Sequence, residues 1–193
     1  GLAAWRDEIA LLAAIGIVYG ATVALVQKDF KFVIGYSSVS HMGFVLLGLA
    51  TATTIGLSGA VLQMFSHGIV AGLLFAVVGR MVYDRTHTRE LAALSGMRLN
   101  QSLPFAAVTF VIAGLASMGL PGFSGFVAEL QVLIGAWKTF PVLTGFAGVG
   151  IVVGIAYMTR TIQQSFYSGA APAPDEPPLP PLDPISMPER CGA

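Results

Sequence analysis

Long apolar runs separated by short polar punctuation dominate this chain, and residues 32–79 pass without a single Lys, Arg, Asp or Glu. A hydrocarbon core of about 30 Å needs roughly 20 apolar helical residues. Windows of that length mark off spans at residues 9–27, 32–50, 57–82, 104–137 and 140–167, with the segment TATTIG (residues 51–56) as the turn between the second and third. The fourth window is too long for one crossing, since a straight helix over it would run roughly 51 Å. Its middle reads Gly119-Leu120-Pro121-Gly122-Phe123-Ser124-Gly125, a concentration of helix breakers. The pattern therefore predicts two half-helices interrupted inside the membrane at Pro121 and Gly122. The expected fold is all-α: a polytopic integral membrane protein of about five transmembrane helices, the fourth broken.

Residues 1–168 form this membrane module. After them the composition changes to Pro172, Pro174, Pro177, Pro178, Pro180, Pro181, Pro184 and Pro188 with interspersed acids, so residues 169–193 read as a Pro-rich disordered tail. The whole chain is 55% hydrophobic and 10% charged, with mean hydropathy +0.77, which excludes a soluble globule. Its formal net charge of zero implies neither nucleic acid nor an acidic surface as partner; the lipid bilayer is the partner implied. The single cysteine, Cys191, lies in the tail and leaves redox compartment open. The chain opens on Gly1 with no charged n-region before the first apolar run, and so reads as a processed or truncated chain without a signal peptide. Basic residues divide unevenly between the loops: Lys28, Lys31, Arg80, Arg85, Arg89, Arg98 and Arg160 fall on one side, Arg6 and Lys138 on the other. The positive-inside tendency then places the N-terminus outside and the tail in the cytoplasm.

Three His or Glu side chains remain inside the spans. His41 is ten residues beyond Lys31, about 15 Å up a helix; Glu129 is nine residues before Lys138, about 13.5 Å deep; His67 is near the centre of its own span. Three proton carriers on three helices thus converge on one depth, the pattern of a proton-handling site. The ordinary role of a membrane histidine is a helix-to-helix hydrogen bond contributing about 0.6 kcal/mol. A mid-membrane carboxylate is harder to explain that way, because it costs several kcal/mol and commonly lines a water-filled path. If neighbouring groups stood about 10 Å apart at an effective dielectric of about 20, moving one charge would alter the next site by about 1.7 kcal/mol.

Ser37 lies one turn before His41, Ser40 beside it, and Gln63 one turn before His67 on the same face, so all three are candidates to line a water route. Serine bonding to its own helix backbone is the plain alternative. An interrupted helix is tolerated at membrane depth where its backbone meets protein or water, and transporters place ion sites beside such breaks. Gly16-x-x-x-Gly20, Gly68-x-x-x-Gly72 and Gly150-x-x-x-Gly154 read as points of close helix approach. No Walker motif, Cys-x-x-Cys cluster or zinc spacing occurs, so no redox chemistry, metal or cofactor is expected in this chain.

Several stretches carry a family resemblance. Gln27-Lys28-Asp29-Phe30-Lys31, Tyr36-Ser37-Ser38-Val39-Ser40-His41-Met42-Gly43-Phe44, Gln63-Met64-Phe65-Ser66-His67-Gly68, Tyr83-Asp84-Arg85-Thr86-His87-Thr88-Arg89 and Met118-Gly119-Leu120-Pro121-Gly122-Phe123-Ser124-Gly125-Phe126-Val127-Ala128-Glu129 occur in that order. Over roughly residues 9–167 the chain resembles the antiporter-like subunits of respiratory complex I, the NADH-quinone oxidoreductase. An acid at Glu129 resembles the M type, subunit 4 of the mitochondrial enzyme, where sibling subunits and Mrp antiporters usually carry Lys.

The resemblance implies one inverted five-helix repeat, the second half-channel, with His41 and His67 on its hydrophilic axis and Glu129 as its terminal proton-transfer site. It also implies a translocase subunit in the bacterial inner membrane or its mitochondrial equivalent. Its partners would be other membrane subunits, including neighbouring antiporter-like ones, with NADH, FMN, iron-sulfur clusters and quinone handled elsewhere. The first repeat of that family, with its Glu-Lys pair and central Lys, has no counterpart here, nor has the final helix, so a partial subunit that does not pump alone is expected. Two other readings stand beside this one: an Mrp-type cation/proton antiporter or membrane-hydrogenase subunit, and an inert truncated scaffold whose polar groups only join helices.

Overall fold

The computed structural model describes residues 2–95 and 99–168. Arg98 and the Pro-rich segment 169–193, with Cys191, lie outside the described residues. A short 3-10 turn, Leu2–Trp5, leads into α1 (Arg6–Val26), followed by α2 (Phe30–Thr51) and α3 (Thr54–Ala76). A π-helical stretch, Val77–Tyr83, carries α3 on into α4 (Asp84–Thr86), making one continuous rod of 33 residues. Two single-turn helices, α5 (Leu91–Leu94) and α6 (Leu99–Ser102), occupy the polar connection. The fourth span is broken as expected into α7 (Pro104–Ser117) and α8 (Ser124–Trp137), and α9 (Pro141–Ile162) ends in a second π-helical segment, Gln163–Tyr167.

Local chemistry explains these boundaries. Asp29 accepts from the Lys31 N–H at 2.8 Å and Thr53 from the Gly56 N–H at 3.1 Å, which caps the starts of α2 and α3. Pro104 and Pro141 occupy the first turns of α7 and α9, where a missing N–H costs nothing. At the other end of α2, Ala52 turns left-handed, and the Arg6 guanidinium donates to the Ala50 carbonyl at 2.9 Å and the Thr51 carbonyl at 2.6 Å. Carbonyls left over at a helix end are thereby satisfied. This tie starts α1 at Arg6, ahead of the apolar run that begins at Ile9.

Among the described residues, four rods are long and apolar enough to cross a bilayer, and the two shorter apolar helices α7 and α8 make up a fifth crossing, the broken one. Large apolar side chains cover the outer surface: Leu12 is 64% exposed, Phe65 66%, Phe105 71% and Val142 70%. A soluble protein does not present such a surface. This is an integral membrane protein whose exterior is solvated by lipid.

α2 is the most buried of the spans and packs against α1, α3 and α8; α1 also packs against α9, and α3 against α8. Gly59 permits the last of these contacts, since a Cβ there would stand 2.8 Å from the Val132 backbone nitrogen. Of the three glycine pairs, Gly20 and Gly150 are close-approach points, Gly20 against Ser40 of α2 and Gly150 against Ile17 of α1. Gly68 and Gly72 are not. Both are exposed, with nothing within 4 Å of an added Cβ, so that motif holds no helix pair together here.

The interior is layered. One apolar cluster gathers Val33, Ile34, Leu74 and Val82 around an aromatic trio, Phe30, Phe110 and Phe166, whose ring centroids lie 4.9 to 6.3 Å apart. A second gathers Ala13, Ile17, Phe44, Leu47, Val132 and Ala147. Along α2 the order is Val33 and Ile34 in the first cluster, then Ser37, Ser40 and His41, then Phe44 and Leu47 in the second. A polar layer is thus held between two apolar ones.

Candidate functional site

Three crossings deliver the polar layer. α2 contributes His41, α3 contributes Gln63, Ser66 and His67, and the broken fourth span contributes Ser117 from the end of α7 and Glu129 from α8. His41 Nδ1 stands 3.5 Å from Glu129 Oε1 and 3.3 Å from Gln63 Nε2, while its Nε2 stands 3.3 Å from Ser117 Oγ. The His41 and His67 ring centroids are 5.2 Å apart. All three sequence-predicted proton carriers therefore meet, far closer than the 10 Å spacing used for the coupling estimate. Glu129 is 5% exposed and His41 9%, so both are removed from lipid; His67 is half-buried.

The surroundings of His41 Nδ1 define what this histidine can do. Carrying a proton, Nδ1 is a donor, and the carboxylate oxygen of Glu129 is its acceptor. Bare, it is an acceptor, and the Gln63 amide can donate to it. The Nδ1 proton thus has an adjacent carboxylate to pass to, and the Gln63 amide N–H can donate to the vacated lone pair. Gln63 belongs to this exchange rather than to His67, the residue whose face the sequence spacing suggested, because it crosses from α3 to α2.

Two small cavities touch the group. One, of about 10 Å³, is lined by His41, Gln63, Ser66, His67, Ser117 and Glu129 among others. The second, also about 10 Å³, is lined by Ser40, His41, Ser117, Glu129 and Tyr157 together with apolar neighbours. Each is about the volume a single water requires. The first has His41, His67 and Glu129 among its polar walls, and the second has His41, Glu129 and Tyr157.

The helix break shapes the carboxylate's surroundings. Gly119 has φ +66 and Gly122 φ +112, both in the left-handed region that favours glycine. The Phe123 N–H donates to the Leu120 carbonyl at 3.2 Å, closing a turn with Pro121 and Gly122 at its centre, the residue order of a type II turn. A Cβ at Gly119 would lie 2.5 Å from Glu129 Oε2, so this glycine also clears room for the carboxylate. Ser66 and Ser124 share a 2.8 Å hydrogen bond that ties α3 to the first residue of α8.

Of the predicted route-lining serines, Ser40 borders the second cavity while its hydroxyl donates to the Ile17 carbonyl of α1 at 3.0 Å. Ser37 donates to the Ile34 carbonyl of its own helix at 2.7 Å and is not among the residues lining either cavity. Sequence reasoning missed Ser66, Ser117, Ser124 and Tyr157. Two signals were available: Ser66 is the neighbour of His67, and Ser117 stands just before the glycine-proline break. Among the described residues, no group of three or more His, Cys, Asp or Glu side chains could hold a metal ion.

Comparison with known proteins agrees with this architecture. The profile of the family described as NADH:quinone oxidoreductase/Mrp antiporter, TM, matches residues 2–155. Subunit M of the NADH-quinone oxidoreductase of Rickettsia felis is 43% identical over 153 residues, covering 79% of this chain and 30% of that protein. A chain of respiratory complex I from Thermus thermophilus superposes with TM-score 0.83 at 37% identity, over 89% of this chain and 36% of that one. A chain of the Mrp complex from Dietzia superposes with TM-score 0.80 at 28% identity, over 95% and 34% respectively. The chain thus spans about a third of the length of the proteins it matches. Five crossings, the broken fourth and the extended profile match lead to one conclusion: the chain belongs to the NADH:quinone oxidoreductase/Mrp antiporter transmembrane family.

Proposed function

We propose that this chain is the second half-channel of a proton-translocating subunit of an NADH-quinone oxidoreductase, and that His67, His41 and Glu129 carry the proton in that order or its reverse. The observation that supports this most directly is the 3.5 Å approach of His41 Nδ1 to Glu129 Oε1 in a buried layer between two apolar clusters. Two positive imidazoles with centroids 5.2 Å apart would repel by about 3 kcal/mol at an effective dielectric of about 20. Protons then move singly: arrival at His67 favours release from His41, and release has Glu129 as its acceptor. The apolar clusters above and below keep the polar layer from short-circuiting the two aqueous sides.

Pumping belongs to the larger assembly. Electron transfer, and with it NADH, FMN, iron-sulfur clusters and quinone, is assigned to partner subunits, and neighbouring antiporter-like subunits are the partners proposed in the membrane. The basic end, with Lys28, Lys31, Arg80, Arg85 and Arg89, is assigned to the cytoplasmic face of a bacterial inner membrane, which puts the Pro-rich tail on the same side.

Glu129→Gln in the complete, assembled subunit tests the reading, with proton translocation and complex abundance measured together. Abundance is expected to hold while translocation falls by at least about a hundredfold, the scale on which positioned proton-transfer groups contribute. Unchanged translocation with normal assembly overturns the role and leaves the polar layer as a helix joint.

A further inference from the structure

Away from the polar layer, at the end of the bundle that carries Lys28, a cavity of about 420 Å³ opens between the α1–α2 connection, α5 and the π-helical end of α9. Among the described residues its polar lining is Gln27, Lys28, Ser95, Arg160, Gln164 and Ser168, none of them a carboxylate. Arg160 Nη1 donates to the Leu25 carbonyl, which holds the guanidinium at the rim. A guanidinium carries five N–H donors in a planar fork suited to phosphate. Two acids adjoin the lining in sequence: Asp29 is directed to Arg89 at 3.7 Å, and Glu90, next to Leu91, is exposed. Gln164 reaches the cavity from a π-helical turn, a local widening that recurs at functional sites.

The cavity's depth sets the ligand's chemistry. Lys28 and Arg160 sit where charge-free stretches end, the position of a membrane interface by span length, and Val26 nearby is 67% exposed. Tyr167, 55% exposed, stands at the same end, the place where interfacial aromatics anchor helices. Two cations, amide and hydroxyl donors and an adjoining apolar flank together fit a molecule with an anionic phosphodiester head and acyl tails. We propose that this cavity binds the headgroup of an acidic phospholipid, its phosphate held by Lys28 and Arg160. The site is independent of the proton-transfer reading.

The test uses the whole chain purified in detergent, with phosphatidylglycerol, phosphatidylcholine and inorganic phosphate as probes and native mass spectrometry as the readout. Phosphatidylglycerol is expected to be retained roughly tenfold over phosphatidylcholine, since each interfacial cation strengthens attraction to anionic lipid by about fivefold. Lys28→Glu, an exposed position whose change leaves helicity intact, is expected to lower that retention by roughly tenfold or more. Lys31→Glu, one helical turn away and outside the cavity, is expected to change it by less than about twofold. Equal retention of the two lipids, or equal losses from the two substitutions, overturns the proposal. Displacement of phosphatidylglycerol by millimolar inorganic phosphate also overturns it, because the cradle would then hold a soluble anion.

Discussion

α2 and α3 resemble one another along the chain, each charge-free beyond its first turn and each with one histidine near the middle, yet their histidines occupy different situations. His41 is enclosed, with Gln63, Ser117 and Glu129 around its two ring nitrogens. His67 is half-buried, faces the His41 ring and borders one cavity. The cause is helix position. α2 runs through the centre of the bundle between α1, α3 and α8, whereas α3 shows an outer face on which Met64, Phe65, Gly68 and Ile69 are exposed. Two equal sequence signals thus become a hub and an edge, and it is the hub whose ring approaches the carboxylate at 3.5 Å.

The largest effect that could break this comparison lies in neither helix. Gly119→Ala forces a side chain into a left-handed position and drives its Cβ against Glu129 Oε2. Strain of this kind costs about 1–3 kcal/mol. A fall in Tm of roughly 5 °C is expected, at about 2–4 °C per kcal/mol for a chain of this size, together with displacement of the carboxylate. An unchanged Tm in detergent would show that the turn does not need glycine there.

Next come the histidines themselves. In the complete assembled subunit, His41→Ala is expected to reduce proton translocation by roughly a hundredfold and His67→Ala by a smaller factor, with complex abundance held in both. Losses of equal size would dissolve the distinction between hub and edge. Parallel loss of abundance would make both residues packing elements.

The smallest effect is expected at Ser37. Its hydroxyl donates to the Ile34 carbonyl within α2 and also lies beside the Tyr157 side chain, so Ser37→Ala should cost no more than about 0.6 kcal/mol and change translocation by less than about twofold. A translocation defect without loss of stability would return Ser37 to the water route.

Much of the fold is legible because a bilayer restricts the chain to helices of a known length. The five windows, the break near Pro121 and the coincidence in depth of His41 and Glu129 all follow from counting residues against that thickness. What counting does not reach is rotation about each helix axis. Gln63 shares a face with His67 in sequence and nevertheless bonds to His41. Gly68 and Gly72 repeat a close-packing motif and face outward. Tyr157 sits in apolar surroundings that give no hint of the group it borders. In each case the answer depends on which neighbour a helix turns toward, and that is settled by side chains distant in the chain.

By itself the amino-acid order determined the number of crossings, the interruption of the fourth and the level at which His41, His67 and Glu129 lie, because hydrophobic length and backbone hydrogen bonding in lipid leave few alternatives. Tertiary packing decided that His41 rather than His67 touches Glu129, that the carboxylate in this position lies against Gly119, and that two apolar layers enclose the polar one. The physical reason is azimuth: a helix carries its own depth scale, but the direction each side chain faces is set by the helices packed around it.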